Sequence, residues 1–65
     1  MNSKKFLQWL KNQGATVKDG KGSHLKVYYQ DKQSVLPMHA KDLPKGTLMA
    51  ILKQLNLREA FEKEK

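Results

Sequence analysis

One histidine of the sequence has neighbours suited to chemistry on a phosphate group. His24 follows Gly22 and Ser23, and Lys26 and Tyr28 come two and four residues later. In a β-strand this spacing places the three side chains on one face. An imidazole exchanges protons near neutral pH, and a lysine neutralises charge on phosphate oxygens. We therefore take His24 as the candidate catalytic residue, supported by Lys26 and Tyr28; the alternative is an exposed strand histidine beside a solubilising lysine.

The second histidine and the turn before His24 complete the candidate site. His39 is a candidate second proton carrier if the strands bring it opposite His24, and otherwise a polar residue at a strand end. Candidate contacts to phosphate groups are Lys21, Gly22, Ser23 and Lys26. The chain has no cysteine, which excludes a cysteine nucleophile or a cysteine zinc site, and two histidines without carboxylates at ligand spacing make a poor metal site. We expect neither a metal nor a cofactor.

The charge balance indicates a polyanionic partner. The chain of 65 residues carries 13 Lys and Arg against 6 Asp and Glu, a formal net charge of +7. The whole excess belongs to residues 1–57, because the basic and acidic side chains of residues 58–65 cancel. A compact basic domain attracts polyanions, of which nucleic acid is the commonest; a lysine-rich solubilising surface is the alternative.

The pattern of apolar residues predicts the order helix, three strands, helix. A helix capped by Ser3 or Asn2 ends at Gly14, and a helix starting near Pro44 carries an apolar stripe at the helical spacing. The predicted strands cover residues 15–18, 23–30 and 34–39. Pro37 cannot donate to a ladder, which favours an edge position for the third strand. Asn56 and Glu59 resemble a capping box that would begin a short last helix.

A hairpin centred on Asp31 and Lys32 gives a specific pairing of the second and third strands. It places Tyr29 opposite Ser34, Val27 opposite Leu36, and His24 opposite His39. One face of the sheet then carries His24, Lys26, Tyr28, Val35, Pro37 and His39. The other, core-forming face carries Leu25, Val27, Tyr29, Leu36 and Met38. Tyr28 and Trp9 are candidates for stacking on bases, although the spacing of Trp9 and Leu10 favours helix packing.

These elements predict an α+β domain with two helices on one face of a three-stranded antiparallel sheet, the other face being open. We expect residues 1–57 to form this domain and residues 58–65 to be an extension, either a short helix or a frayed tail. The longest apolar run is far too short to span a membrane, and the lack of cysteine suits a reducing compartment. We expect a cytoplasmic protein that does not contact membranes.

Several motifs together resemble the HicA-type toxins, small mRNA interferases of bacterial type II toxin–antitoxin modules. The resemblance covers about residues 3–57. Its motifs are Phe6-Leu7 and Leu10 before Gly14, Gly22-Ser23-His24, Ser34-Val35-Leu36-Pro37-Met38-His39, Gly46-Thr47-Leu48 and Ile51-Leu52-Lys53-Gln54-Leu55. One departure is Leu25, where many members have a second histidine or another polar residue.

The resemblance implies a double-stranded-RNA-binding-like α-β-β-β-α fold, with His24 at the position of the family's catalytic histidine. It also implies an mRNA substrate and a HicB-type antitoxin, so that a free monomer becomes part of a hetero-oligomer. Two other interpretations stay open: a non-catalytic RNA-binding module, and an adaptor that holds an acidic protein.

Overall fold

The helices and strands follow one another in the order that the hydrophobic pattern predicts. The computed structural model describes residues 2–22, 24–38 and 42–63. Its elements are α1 (Ser3–Asn12), β1 (Thr16–Asp19), β2 (His24–Tyr29), β3 (Lys32–Pro37), α2 (Lys45–Gln54) and α3 (Arg58–Lys63). The strands form an antiparallel sheet in the order β1-β2-β3, which puts β3 at an edge, as Pro37 requires. The predicted α-β-β-β-α arrangement and the short last helix are confirmed.

The first helix is capped at both ends by residues that the sequence indicates. The side-chain oxygen of Asn2 accepts hydrogen bonds from the backbone N–H groups of Lys4 at 2.8 Å and Lys5 at 3.4 Å. Of the two predicted caps, Asn2 is thus the one used. Gly14 follows the helix with a φ of 96°, a left-handed conformation that suits glycine. None of the helices in the described ranges is long and apolar enough to cross a membrane.

The predicted capping box at Asn56 is wrong, because Asn56 terminates α2 instead of starting α3. Its φ is 58°, whereas an N-cap residue is extended. The Asn56 amide donates to the Lys53 carbonyl at 3.2 Å, and the Leu57 amide donates to the Leu52 carbonyl at 2.9 Å. This pair of bonds is a Schellman motif, with Asn56 in the position usually taken by glycine.

The pairing of β2 with β3 differs from the prediction by two residues. His24 lies opposite Pro37, Val27 opposite Ser34, and Tyr29 opposite Lys32. The predicted partners His39, Leu36 and Ser34 are therefore wrong. The hairpin loop is Gln30-Asp31 instead of Asp31-Lys32, because Gln30 takes the left-handed φ of 56° that a two-residue loop requires. A shift of two residues leaves every side chain on its predicted face.

Both long helices pack on the same face of the sheet. Val27 and Leu36 point from the central and edge strands into one cluster with residues of α1 and α2. The fully buried large side chains of this core are Phe6, Leu10, Val27, Leu36, Leu52 and Leu55. Burying a side chain of this size contributes roughly 1.5–3 kcal/mol, so a few such residues dominate the stability of a small domain.

The last helix packs against the first through aromatic rings. The ring of Phe61 meets the ring of Trp9 edge-on at 5.1 Å between centroids, and that of Phe6 at 6.1 Å. Phe6 and Trp9 are themselves nearly parallel at 6.0 Å. Trp9 is therefore part of the packing between helices, which agrees with the interpretation that its spacing favoured.

Candidate functional site

The face of the sheet opposite the helices is a basic surface built by alternate residues of three strands. The register brings together side chains that are separated in sequence but share this face. They are Thr16, Lys18, His24, Lys26, Tyr28, Gln33, Val35 and Pro37, and we call this set the open face. No carboxylate of the described strands belongs to it. The open face therefore offers positive charge, one imidazole and one phenol.

His24 begins β2, and its backbone is fixed on both sides by the β1–β2 connection. The Gly20 amide donates to the His24 carbonyl at 3.0 Å, and the His24 amide donates to the Lys21 carbonyl at 3.1 Å. Gly20 has no room for a side chain, since a Cβ there would lie 2.8 Å from the His24 carbonyl oxygen. The exposed imidazole of His24 thus extends from a backbone that two hydrogen bonds hold.

Two lysines face each other beside His24. Lys18 of β1 and Lys26 of β2 are direct cross-strand partners, and both are exposed. Like charges directly opposite each other destabilise a sheet, so this pair is not explained by stability. The Lys18 ammonium lies 5.7 Å from the centre of the Tyr28 ring, within the range of a cation–π contact. The arrangement places two positive charges on the open face, one on β1 and one on β2.

The structure brings together part of the predicted site. His24, Lys26 and Tyr28 share the open face, and Lys21 and Gly22 lie in the connection that leads to His24. Gly22 has a φ of 60° and open space around its Cα, so its backbone is accessible. Ser23 and His39 lie outside the described residues. His24 faces Pro37, so the register gives no support for a pair of histidines across the hairpin.

Lys18 is a member of the site that sequence reasoning missed. It lies in a strand of four residues, too short for alternation to show which face it occupies. The register of the structure reveals it, because Lys18 lies opposite Lys26.

A groove along the free edge of β3 joins the open face to α2. Its volume is about 550 Å³. The residues lining it are Lys26, Tyr28, Gln33, Ser34, Val35, Thr47, Ala50, Ile51 and Gln54. Those from α2 recur at the i, i+3, i+4, i+7 spacing, so they form one helical stripe beside the core stripe. That repeat is the sequence signal that would have indicated the groove.

Groups of three or more histidine or carboxylate side chains placed as metal ligands do not occur among the residues that the structure describes.

Comparison with known proteins identifies the family. The family model described as the HicA toxin of bacterial toxin–antitoxin matches residues 3–57. The chain is 43% identical over 60 residues to the Pseudomonas fluorescens protein named "Probable mRNA interferase HicA", covering 91% of this chain and all of that protein. It is also 42% identical over 59 residues to "Probable mRNA interferase HicA 2" of Photorhabdus laumondii, covering 89% of this chain and all of the relative. No solved structure matches the chain.

The chain belongs to the HicA toxin family of bacterial toxin–antitoxin systems.

Proposed function

We propose that this chain is the toxin of a type II toxin–antitoxin module and cleaves mRNA in the bacterial cytoplasm, with His24 as its catalytic residue. The observation that carries the proposal is the placement of His24, an exposed imidazole on a restrained backbone beside a cross-strand pair of lysines. The names of its relatives, which describe mRNA interferases, support the same activity.

RNA supplies its own nucleophile, so the protein has to move protons and stabilise charge. The 2′-hydroxyl attacks the adjacent phosphorus while a base takes its proton, and the bond from phosphorus to the 5′ oxygen then breaks. The 5′ oxygen receives a proton as it leaves. The products are a 2′,3′-cyclic phosphate and a 5′-hydroxyl. His24 is the group that takes the first proton or gives the second, a role worth about 10²–10⁴-fold in rate.

The lysines of the open face stabilise the negative charge that develops on the phosphoryl oxygens. Lys26 lies on the same face as His24, two residues along β2, at about 7 Å along the strand. It is placed to neutralise the non-bridging oxygens, with Tyr28 or the amides near Gly22 as further donors. Lys21 and Lys18 flank this position and bind the neighbouring phosphates. Ser23 remains a proposed RNA contact and His39 a proposed second proton carrier, on the basis of sequence alone.

The decisive experiment compares wild type with His24→Ala for growth arrest, RNA cleavage and RNA binding. We expect His24→Ala to abolish growth arrest and cleavage while binding RNA almost as tightly as wild type. Gln8→Ala, an exposed change on α1, serves as the control and should behave as wild type. Products of wild type should carry 2′,3′-cyclic phosphate and 5′-hydroxyl ends with EDTA present. Ends carrying a 5′-phosphate, or a strict need for Mg²⁺, would contradict the mechanism.

A non-catalytic RNA-binding module is the second candidate, because the Lys18–Lys26 pair favours RNA binding whether or not the RNA is cleaved. The two functions differ in their response to His24. A binding module would keep its cellular effect in His24→Ala and lose it gradually as lysines are removed.

We further propose that a HicB-type antitoxin inhibits the free monomer by covering the open face in a hetero-oligomer. Within the described chain, the helices pack on the other side of the sheet and leave this basic surface uncovered. An acidic or neutral protein surface docking there would exclude RNA. Co-expression with the neighbouring open reading frame should relieve growth arrest. Growth arrest that persists while the partner is bound would contradict occlusion.

A further inference from the structure

The groove at the β3 edge combines apolar and amide side chains next to the proposed catalytic face. Val35 is 48% exposed, and among the described residues it is the exposed large hydrophobic side chain. With the ring of Tyr28 it contributes apolar surface to the lining of the groove. A volume of about 550 Å³ is within the range of small-molecule sites and exceeds what a single water-filled crevice would need.

From these contacts we infer that the groove binds one unpaired nucleobase of the RNA substrate, next to the cleaved bond. The inference rests on the proposed ribonuclease function for its substrate class, and it adds a specificity site to that function. Proteins read single-stranded RNA by splaying out a base, stacking it on a ring or apolar surface, and hydrogen-bonding its edge. The groove has side chains suited to stacking and side chains suited to hydrogen bonding.

The stacking component is Tyr28 with Val35. Tyr28 is half-buried, and the Lys18 ammonium on one side of its ring restrains it. Val35 lies directly opposite Lys26 in the register, so the apolar surface adjoins a cation on the same face. A base in the groove therefore has its own backbone phosphate within reach of Lys26.

The hydrogen-bonding component is a pair of glutamines. Gln33 at the start of β3 and Gln54 at the end of α2 both line the groove. The hydroxyl of Ser34, itself buried, donates to Oε1 of Gln54 and fixes the orientation of that amide. With its oxygen engaged by Ser34, Gln54 presents its two Nε2 donors to a base acceptor. The amide of Gln33 adds a donor and an acceptor side by side, the pattern that suits the edge of a base.

The position of the groove determines which nucleotide it would hold. Tyr28 is four residues along β2 from His24, about 13 Å along the strand, with Lys26 between them on the same face. A phosphate at His24 and Lys26 leaves the groove within reach of an adjacent nucleotide. The groove would thus select the base at one position beside the cut.

The first experiment maps cleavage on a randomised RNA pool and records base frequencies at each position around the cut. Wild type should show a preference at one flanking position. Gln33→Ala and Gln54→Ala should weaken that preference by about tenfold, the discrimination of one good amide–base pair. Gln8→Ala removes an equivalent side chain on α1, outside the groove, and should leave the pattern unchanged. Unaltered base frequencies in both groove variants would overturn the inference.

The second experiment detects binding without cleavage. The His24→Ala protein, labelled with ¹⁵N, is titrated with each of the four ribonucleoside monophosphates, and the side-chain amide signals of Gln33 and Gln54 are followed by NMR. Shifts of these signals that differ among the bases, with Gln8 unaffected, support the nucleobase site. This result does not depend on catalysis, so it separates failure of the groove from failure of the ribonuclease. Shifts that are equal for all four monophosphates would show phosphate binding only and overturn the inference.

A third variant separates recognition from folding. Ser34→Ala keeps Gln54 but removes the hydrogen bond that orients it. We expect a weakened base preference with the cleavage rate on the pool nearly retained. Two results together would assign Gln54 a structural role instead. Gln54→Ala would lose the base preference only when it also lost the circular-dichroism signal of the folded protein, and folded Ser34→Ala would show an unchanged preference.

Discussion

The amide of Gly20 donates to the carbonyl of His24 at 3.0 Å, and a Cβ on Gly20 would lie 2.8 Å from that same oxygen. The backbone of the proposed catalytic histidine is therefore packed directly against a residue without a side chain. Because the clash would be with a backbone atom, no rotation of a flexible side chain could relieve it. The position of His24 depends on glycine at residue 20.

Replacing this glycine should damage the site more than the fold. We expect Gly20→Ala to push the β1–β2 connection away from His24, at a cost of about 1–3 kcal/mol in unfolding free energy, and to reduce RNA cleavage severely. Gly46→Ala is the matched control, because a Cβ there meets nothing within 4 Å and alanine favours a helix. Thermal melting and cleavage of a defined RNA measure the two effects. Wild-type cleavage in Gly20→Ala would contradict this role of the glycine.

The cross-strand lysines should account for part of the salt dependence of RNA binding. In the cleavage-deficient His24→Ala protein, we expect Lys18→Gln or Lys26→Gln to reduce the steepness of the salt dependence. The slope of log binding affinity against log salt concentration should fall by about 0.7–1 in magnitude. Lys5→Gln changes an exposed lysine of α1, on the helical side of the sheet, and should have a smaller effect. Fluorescence anisotropy with a labelled RNA at several salt concentrations gives the slopes. Equal slopes for the three variants would show that the open face is not the RNA contact.

The aromatic contact between α3 and α1 should contribute to stability. Phe61→Ala removes edge-on contacts with Trp9 and Phe6. Because Phe61 is only half-buried, we expect a loss of about 1–3 kcal/mol, less than for a fully buried ring, and a red shift of Trp9 fluorescence. Glu59→Ala, an exposed change on the same helix, should alter stability by less than about 0.5 kcal/mol. If Phe61→Ala melts as wild type does, α3 adds nothing to the stability of the domain.

The left-handed conformation of Asn56 predicts that glycine is tolerated better than alanine at this position. With a φ of 58°, we expect Asn56→Gly to be neutral or slightly stabilising and Asn56→Ala to cost about 1 kcal/mol. Urea denaturation of the two variants and wild type tests this order. Alanine at least as stable as glycine would contradict the Schellman assignment.

Much of the fold and part of the site follow from local periodicity. The alternation along β2 placed His24, Lys26 and Tyr28 on one face, and the helical repeat placed Leu48, Ile51 and Leu52 in the core. These predictions succeed because side-chain direction within a strand or helix depends on spacing alone. They hold even though the predicted register of the hairpin was wrong by two residues.

Contacts between elements could not be predicted from the sequence pattern. Gln30 adopted a left-handed conformation without being glycine, and this moved Pro37 opposite His24. The sequence pattern also did not assign Lys18 to a face of the sheet, because a strand of four residues shows too little alternation.

The sequence by itself determined the positive charge, the order of the elements, and the face on which His24 stands, because each is a property of the chain or of one element. Only the tertiary structure decided which residues meet: Gly20 with His24, Lys18 with Lys26, and Ser34 with Gln54. These contacts depend on loop conformations and on how α2 packs along the β3 edge. Such packing is a balance of many weak interactions over the whole domain, and no short segment specifies it.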